Sequence, residues 1–176
     1  MEIIDLELKG LKLIKPRAFE DRRGFFKETY NQKRYKELGI EVDFVQDNHS
    51  YSVKNTIRGM HFQNNPGQDK LISVIEGKIY DVAVDIRKDS PTFKKWIGVE
   101  LDSISHHQFF IPKGFAHGFL VLSESAHVVY KISSIFDPKE EREFYYDDQE
   151  INILWPTKKA ILSEKDKKAP RFKDIF

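Results

Sequence analysis

Two of the six histidines stand in surroundings suited to chemistry. His61 lies in IRGMHFQ (57–63), beside an arginine and a glycine, and His117 lies in IPKGFAHGF (111–119), just after a turn signal. His49, His106, His107 and His127 have less distinctive neighbours and read as structural or solvent-facing. Histidine changes charge near neutral pH, which suits it to proton transfer. General acid–base chemistry needs a base, a second group to return the proton, and something to stabilise negative charge between the steps. His61 is a candidate base, Tyr130 in VVYKIS (128–133) a candidate acid, and Lys70 a candidate charge stabiliser. Spacing alone does not select these three.

Other chemistries fit less well. A metal site in a β-barrel needs about three or four converging ligands, often with two histidines two residues apart on one strand face. The partner position of His61 is Gln63, and His106-His107 are adjacent, so they point to opposite faces of a regular strand. No metal is expected. The chain has no cysteine, which excludes disulfides, thiolate ligands and a cysteine nucleophile. It carries no GxSxG, GxGxxG or Walker A pattern, so a bound phosphate would be held by arginine and lysine side chains.

The elements that must position these residues are mostly strands. The 176 residues suit one domain, and 14 Phe, 7 Tyr and many aliphatic residues supply a core. LISVIEGKIYDVAVDIR (71–87) reads as two β-rich runs joined in a hairpin at Glu76-Gly77. Tyr80, Val82, Val84 and Ile86 share one parity and Asp81, Ala83 and Asp85 the other, which puts the apolar set on one sheet face. Further strands are expected at 11–15, 24–30, 43–48, 56–63, 96–101, 107–111, 117–122, 126–136 and 150–155. A short helix fits 31–38, with Asn31 as N-cap and Gly39 as its stop. Many short strands separated by turns mean a sandwich, jelly roll or barrel. DPKEERE (137–143) and SEKDKKAPRFKD (163–174) read by charge alone as solvated loop and tail.

The formal net charge of +1 argues against a nucleic-acid binder. The N-terminal MEIIDLELKGLKLIKP has no continuous apolar region and does not read as a signal peptide. No stretch approaches a membrane span, and the lack of cysteine fits a reducing cytoplasm.

Eight segments together resemble one family. They are DRRGFFKETYN (21–31), FVQDNHS (44–50), IRGMHFQ (57–63), QDKLISVIEGKIYDVAVDIRKDSPTF (68–93), FFIPKGFAHGFLVLS (109–123), VVYKIS (128–133), ILWP (153–156) and LSEKDKKAP (162–170). Their order and content resemble the nucleotide-sugar epimerases typified by dTDP-4-dehydrorhamnose 3,5-epimerase, a cupin family. The resemblance implies an all-β double-stranded β-helix jelly roll with one or two short helices, in one domain whose tail at 163–176 packs back on the site. It implies a homodimer, no cofactor, and a nucleoside-diphosphate 4-keto-6-deoxy sugar as substrate. It also implies His61 as base, Asp166 fixing its tautomer, Tyr130 as acid on the opposite sugar face and Lys70 at the C4 oxygen. Arg23, Arg58 and Lys165 match positions contacting diphosphate or sugar. Glu28, Gln46, Asp47, Asn48, His117 and Glu141 match further substrate-binding positions, and Phe136 matches an aromatic ring stacked on the base.

Three features depart from the family pattern. Ile135 stands where a tyrosine is usual, Phe136 lacks a hydroxyl, and REFYY follows Glu141 where relatives often have a glycine and then a tryptophan, with Tyr146 at the tryptophan position. They bear on the base, the sugar and the C5 step. C3-only inversion, another nucleotide sugar such as a GDP-linked heptose, a ketoisomerase, a metal-dependent cupin and a non-catalytic sugar-binding cupin stay open as alternatives. Arg58 and His61 are three apart and so have opposite parity. A bulge or bend at Gly59 is expected to aim both into one pocket.

Overall fold

A computed structural model describes residues 1–176. Thirteen strands make up most of the ordered structure: β1 (Glu2–Asp5), β2 (Lys12–Lys15), β3 (Ala18–Asp21), β4 (Gly24–Lys27), β5 (Gln46–Val53), β6 (Ile57–Gln63), β7 (Lys70–Glu76), β8 (Lys78–Asp85), β9 (Trp96–Asp102), β10 (Gln108–Ile111), β11 (Phe115–Val121), β12 (Ser125–Ile132) and β13 (Glu141–Glu143). Two short helices, α1 (Gln32–Glu37) and α2 (Glu164–Lys167), and a 3-10 turn at Phe172–Asp174 complete the chain. One sheet runs β1-β2-β10-β7-β12-β5 and the other β13-β6-β11-β8-β9, while β3 and β4 form a separate hairpin. None of the helices is long and apolar enough to cross a membrane.

Alternation explains the layers. Ile72 and Val74 of β7, Ile79 and Ala83 of β8, Phe119 and Val121 of β11 and Val128 of β12 meet between the sheets in the main core cluster. Val82, Val84 and Ile86 face the other way and are covered by Phe144, Ile151, Ile153 and Phe172. Both faces of β8 are therefore buried, and the parity that carries Asp81 points into the barrel. Helix α1 starts where Asn31 accepts a hydrogen bond from Arg34 N, and Gly39 beyond it has φ +81°, as the capping pattern requires.

Several strand expectations are corrected. The runs joined at Gly77 are not a hairpin, because β7 and β8 belong to different sheets. Gly77, at φ +85°, turns the chain from one sheet to the other, and a Cβ there would meet Ser125 O at 2.1 Å. The alternating 150–155 run pairs with nothing. Ile151 and Ile153 are buried and Leu154 exposed because the segment lies over the outer face of the five-stranded sheet, with Asn152 at φ +53° breaking strand geometry. The charge-dense 137–143 run contains β13, which pairs with β6. The charged tail is tied down as well, with Asp166 and Phe172 both buried.

The expected irregularity at Gly59 is present. His117 pairs with His61 and Phe119 with Arg58, so two residues of β11 span three of β6. Gly59 has φ +123°, and a Cβ there would lie 2.6 Å from Gly118 Cα. The bulge turns both Arg58 and His61 toward one cavity.

Candidate active site

The two sheets enclose a cavity of about 250 Å³ at one end of the barrel. Asn48, Ser50, Lys70, Tyr130 and Ile132 line it from the six-stranded sheet. Arg58, His61, His117, Phe119 and Glu141 line it from the five-stranded sheet, with Gln68 and Phe136 supplied by loops. His61 and Tyr130 thus approach from opposite walls.

His61 Nε2 lies 2.7 Å from Asp166 Oδ1. Asp166 is fixed at the start of α2, where Ser163 Oγ donates to its Oδ2 at 2.8 Å and the Asp166 N–H donates back to Ser163 Oγ at 3.0 Å. Burial pushes the Asp166 carboxyl up, but the His61 hydrogen bond and charge, Ser163 and Lys165 together hold it below the usual carboxylate range. An ionised carboxylate can only accept, so the neutral ring carries its proton on Nε2 and its lone pair on Nδ1.

Lys70 is buried, and that burial pulls its ammonium down to about 8, with Asp81 and Glu141 offsetting part of the effect. A cation held so close to neutrality in a dry wall is ready to respond to a developing negative charge. Burial raises the Tyr130 phenol above its usual value, Arg58 pulls it back and Glu141 adds to the rise, so the phenol keeps its proton at neutral pH. His117 is buried with Nε2 2.9 Å from Asp81 Oδ1. Burial lowers its pKa more than Asp81 raises it, so its ring stays neutral.

The remaining sequence-derived residues divide into three groups. Gln46 donates to Asn48 Oδ1 at 2.9 Å and accepts from the Phe136 N–H at 3.1 Å, which fixes one rim of the cavity. Lys165 lies at the opposite rim, paired with Glu141 and, at 2.9 Å, with Glu143. Asp47, Arg23 and Glu28 are elsewhere. Asp47 has the opposite parity to Gln46 and Asn48 on β5, so it reaches the outer sheet face and pairs with Lys131 at 2.9 Å. Arg23 sits on the exposed β3–β4 turn, bonded to Asp21. Glu28 is paired with Arg34 at 2.8 Å. Ile135 is exposed and does not line the cavity.

Asp81, Ser163 and Glu143 were missed from sequence. Asp81 could be found as an aspartate inside an apolar strand, and Ser163 as the first residue of an Ser-x-x-Asp cap. Glu143 has a weaker signal, as one charge within the REFYY stretch that departs from the family pattern. Another cavity, of about 290 Å³, opens on the outer sheet face around Asp47, His49 and Lys131, with Tyr130 at its edge. Lys70, His61 and Asp166 do not reach it.

Comparison with known proteins places this geometry. Residues 5–174 match the family model described as dTDP-4-dehydrorhamnose 3,5-epimerase. The chain belongs to that family. A Shigella flexneri relative named dTDP-4-dehydrorhamnose 3,5-epimerase is 47% identical, covering 99% of this chain and 97% of the relative. A solved structure of the dTDP-6-deoxy-D-glucose-3,5-epimerase from Legionella pneumophila in complex with dTDP-4-keto-L-rhamnose superposes with a TM-score of 0.96. It is 46% identical and covers 99% of this chain and 94% of that one. The Bacillus anthracis dTDP-4-dehydrorhamnose 3,5-epimerase, solved with TDP and PPi bound, gives a TM-score of 0.94 at 48% identity, over 97% of this chain and 98% of that one. Membership in this epimerase family makes the chain an isomerase with the cupin jelly roll expected from its sequence.

Proposed function

We propose that the protein inverts C3 and C5 of dTDP-4-keto-6-deoxyglucose through an enolate, giving dTDP-4-dehydrorhamnose. The observation that carries this is the placement of His61, held by Asp166, across the cavity from Tyr130, with buried Lys70 in the wall between them. A C–H bond beside a ketone is weakly acidic, because the electron pair it leaves moves onto the carbonyl oxygen. His61 Nδ1 takes the proton from C3 or C5, the C–H pair forms the enolate double bond, and the charge on O4 meets the Lys70 ammonium. Tyr130 then donates its proton to the opposite face of that carbon as the ketone re-forms. Both centres flank the same ketone, so one set of groups serves them in turn once solvent has taken the proton from His61 and returned one to Tyr130. A low-dielectric wall strengthens the attraction between Lys70 and the enolate.

Arg58 and Lys165 suit the diphosphate, since both are cations at the rim and no phosphate-binding glycine loop is present. Gln46, Asn48 and Phe136 form the rim for the base and sugar, with Glu141 and the neutral His117 deeper in. The direct test is proton NMR of the enzyme with dTDP-4-keto-6-deoxyglucose in D₂O. Deuterium entering both C3 and C5 at a catalytic rate is expected. Exchange at C3 alone would replace the reading with C3-only inversion, and exchange at neither would refute it.

The active form is a homodimer on this reading. The β3–β4 hairpin exposes Phe19, Phe25 and Phe26 at 54%, 56% and 72%, an apolar arm that its own protomer leaves uncovered. An arm laid on a second copy would carry Arg23 and Glu28 to the partner's cavity. Mixing subunits tests this. Refolding Arg23→Ala with His61→Asn should restore about a quarter of wild-type activity, because half of the random dimers hold one intact site of two. No recovery, or a monomeric mass by sedimentation, would rule the shared site out.

A further inference from the structure

Glu143 is a charge beside the base that the acid–base scheme above does not use. It pairs with His61 across β13 and β6, so both side chains leave the same sheet face. Its Oε2 lies 3.8 Å from His61 Nε2 and 2.9 Å from Lys165 Nζ. That oxygen is buried without a hydrogen bond, and Lys165 holds it only as an ion pair. Asp166 reaches the same ring nitrogen at 2.7 Å. Two carboxylates therefore converge on one edge of the imidazole. A buried carboxylate is costly to keep, and its one cation, Lys165, is itself half exposed at the rim, so that ion pair alone is a weak reason for a carboxylate at this position.

We propose that Glu143 is a second positioning carboxylate for the base, acting with Asp166 to stabilise the imidazolium that forms when His61 takes the substrate proton. The proposal rests on His61 being the base. Asp166 accepts the Nε2 hydrogen bond before and after proton transfer. Glu143 acts through charge, which matters most once the ring is positive.

The surroundings give that charge weight. Arg58 on the same strand, Lys70 from β7 and Lys165 from α2 bring positive charge to the surroundings of the imidazole. His117 faces it from β11 as a neutral ring and Tyr130 from β12 as a neutral phenol. Glu141 shares Lys165 with Glu143. A diphosphate that draws Lys165 to itself would leave Glu143 facing the ring, so its effect on the base is greater in the substrate complex than in the free enzyme.

Glu143→Gln keeps the shape and removes the charge, and Glu143→Asp keeps the charge. The readouts are the pH profiles of kcat and kcat/KM, which report the complex and the free enzyme respectively. In the Gln variant the acid limb of kcat should move to lower pH by about half to one pH unit. Its plateau should fall by about 2–5-fold, because a base that protonates less readily is weaker. The limb of kcat/KM should move less, and the Asp variant should recover most of the loss. Gln profiles superimposable on wild type would overturn the proposal. Equal damage in both variants with a matching loss of thermal stability would overturn it too, by showing a packing role. Undiminished C3 exchange in His61→Asn would defeat the base assignment itself, and the proposal with it.

Discussion

Replacing His61 with Asn is expected to lower kcat by at least about 10²–10⁴-fold, the usual contribution of a positioned proton-transfer group. The Asn amide ends level with Nδ1 and is too short to reach Asp166, so the 2.7 Å hydrogen bond is lost together with the basic lone pair. KM should change little, since the imidazole is one wall of a cavity whose rim supplies Arg58 and Lys165. The fold should also hold, because His61 is half-buried and takes no part in the main core clusters. The decisive reading is exchange in D₂O, site by site. One base serving both carbons requires deuterium entry at C3 and at C5 to fall by the same factor. A variant that loses C5 exchange but keeps C3 would show a second base, and His117 would be the first residue to examine.

The sequence foresaw which side chains share the cavity better than it foresaw the strand map, for physical reasons. His61, Lys70 and Tyr130 are distinctive only within their motifs, and the motifs were enough to assemble them. Gly59 was legible from parity alone, since two side chains three apart can share a pocket only if the strand is bulged between them. Gly77 was misread because glycine at positive φ serves a hairpin turn and a change of sheet equally well. Pairing partners, which sequence does not show, decide between the two. The 150–155 run misled for a related reason. Its alternation is real, but it records burial against a sheet face and not pairing within a sheet.

Charge hid the most informative segment. In β13, Glu141 and Glu143 point to the site and Arg142 away from it, so polar residues occupy both parities and no apolar pattern marks a strand. The same masking applies to the tail. Its single buried acid, Asp166, is surrounded by solvated lysines. In both places a charged side chain is buried because a partner from another element meets it, and such partners are far apart in sequence.

Lys70→Met should show opposite effects on activity and stability. An ammonium aimed at a developing enolate is worth about 3–4 kcal/mol, by analogy with oxyanion-hole donors, so kcat should fall about 10²–10³-fold. KM should stay near wild type, because the charge on O4 exists only after the proton has left. Stability should rise. Burial displaces the Lys70 ammonium from 10.5 to about 8, which corresponds to about 3 kcal/mol held against folding at neutral pH. Below about pH 8 the lysine is charged in both states and the folded protein bears the full burial cost. Between about 8 and 10.5 the unfolded chain still binds a proton that the folded protein has released, so wild-type stability rises with pH through that window. The Met side chain fills the same stem and removes both the cost and that rise. Urea unfolding at pH 7 and pH 10 should therefore show a stability gap between variant and wild type that narrows as pH increases. The same ionisation sets an alkaline limb near pH 8 in wild-type kcat/KM. A Met variant that is less stable at pH 7 and loses activity through KM alone would show that Lys70 holds the ground-state sugar and not the enolate.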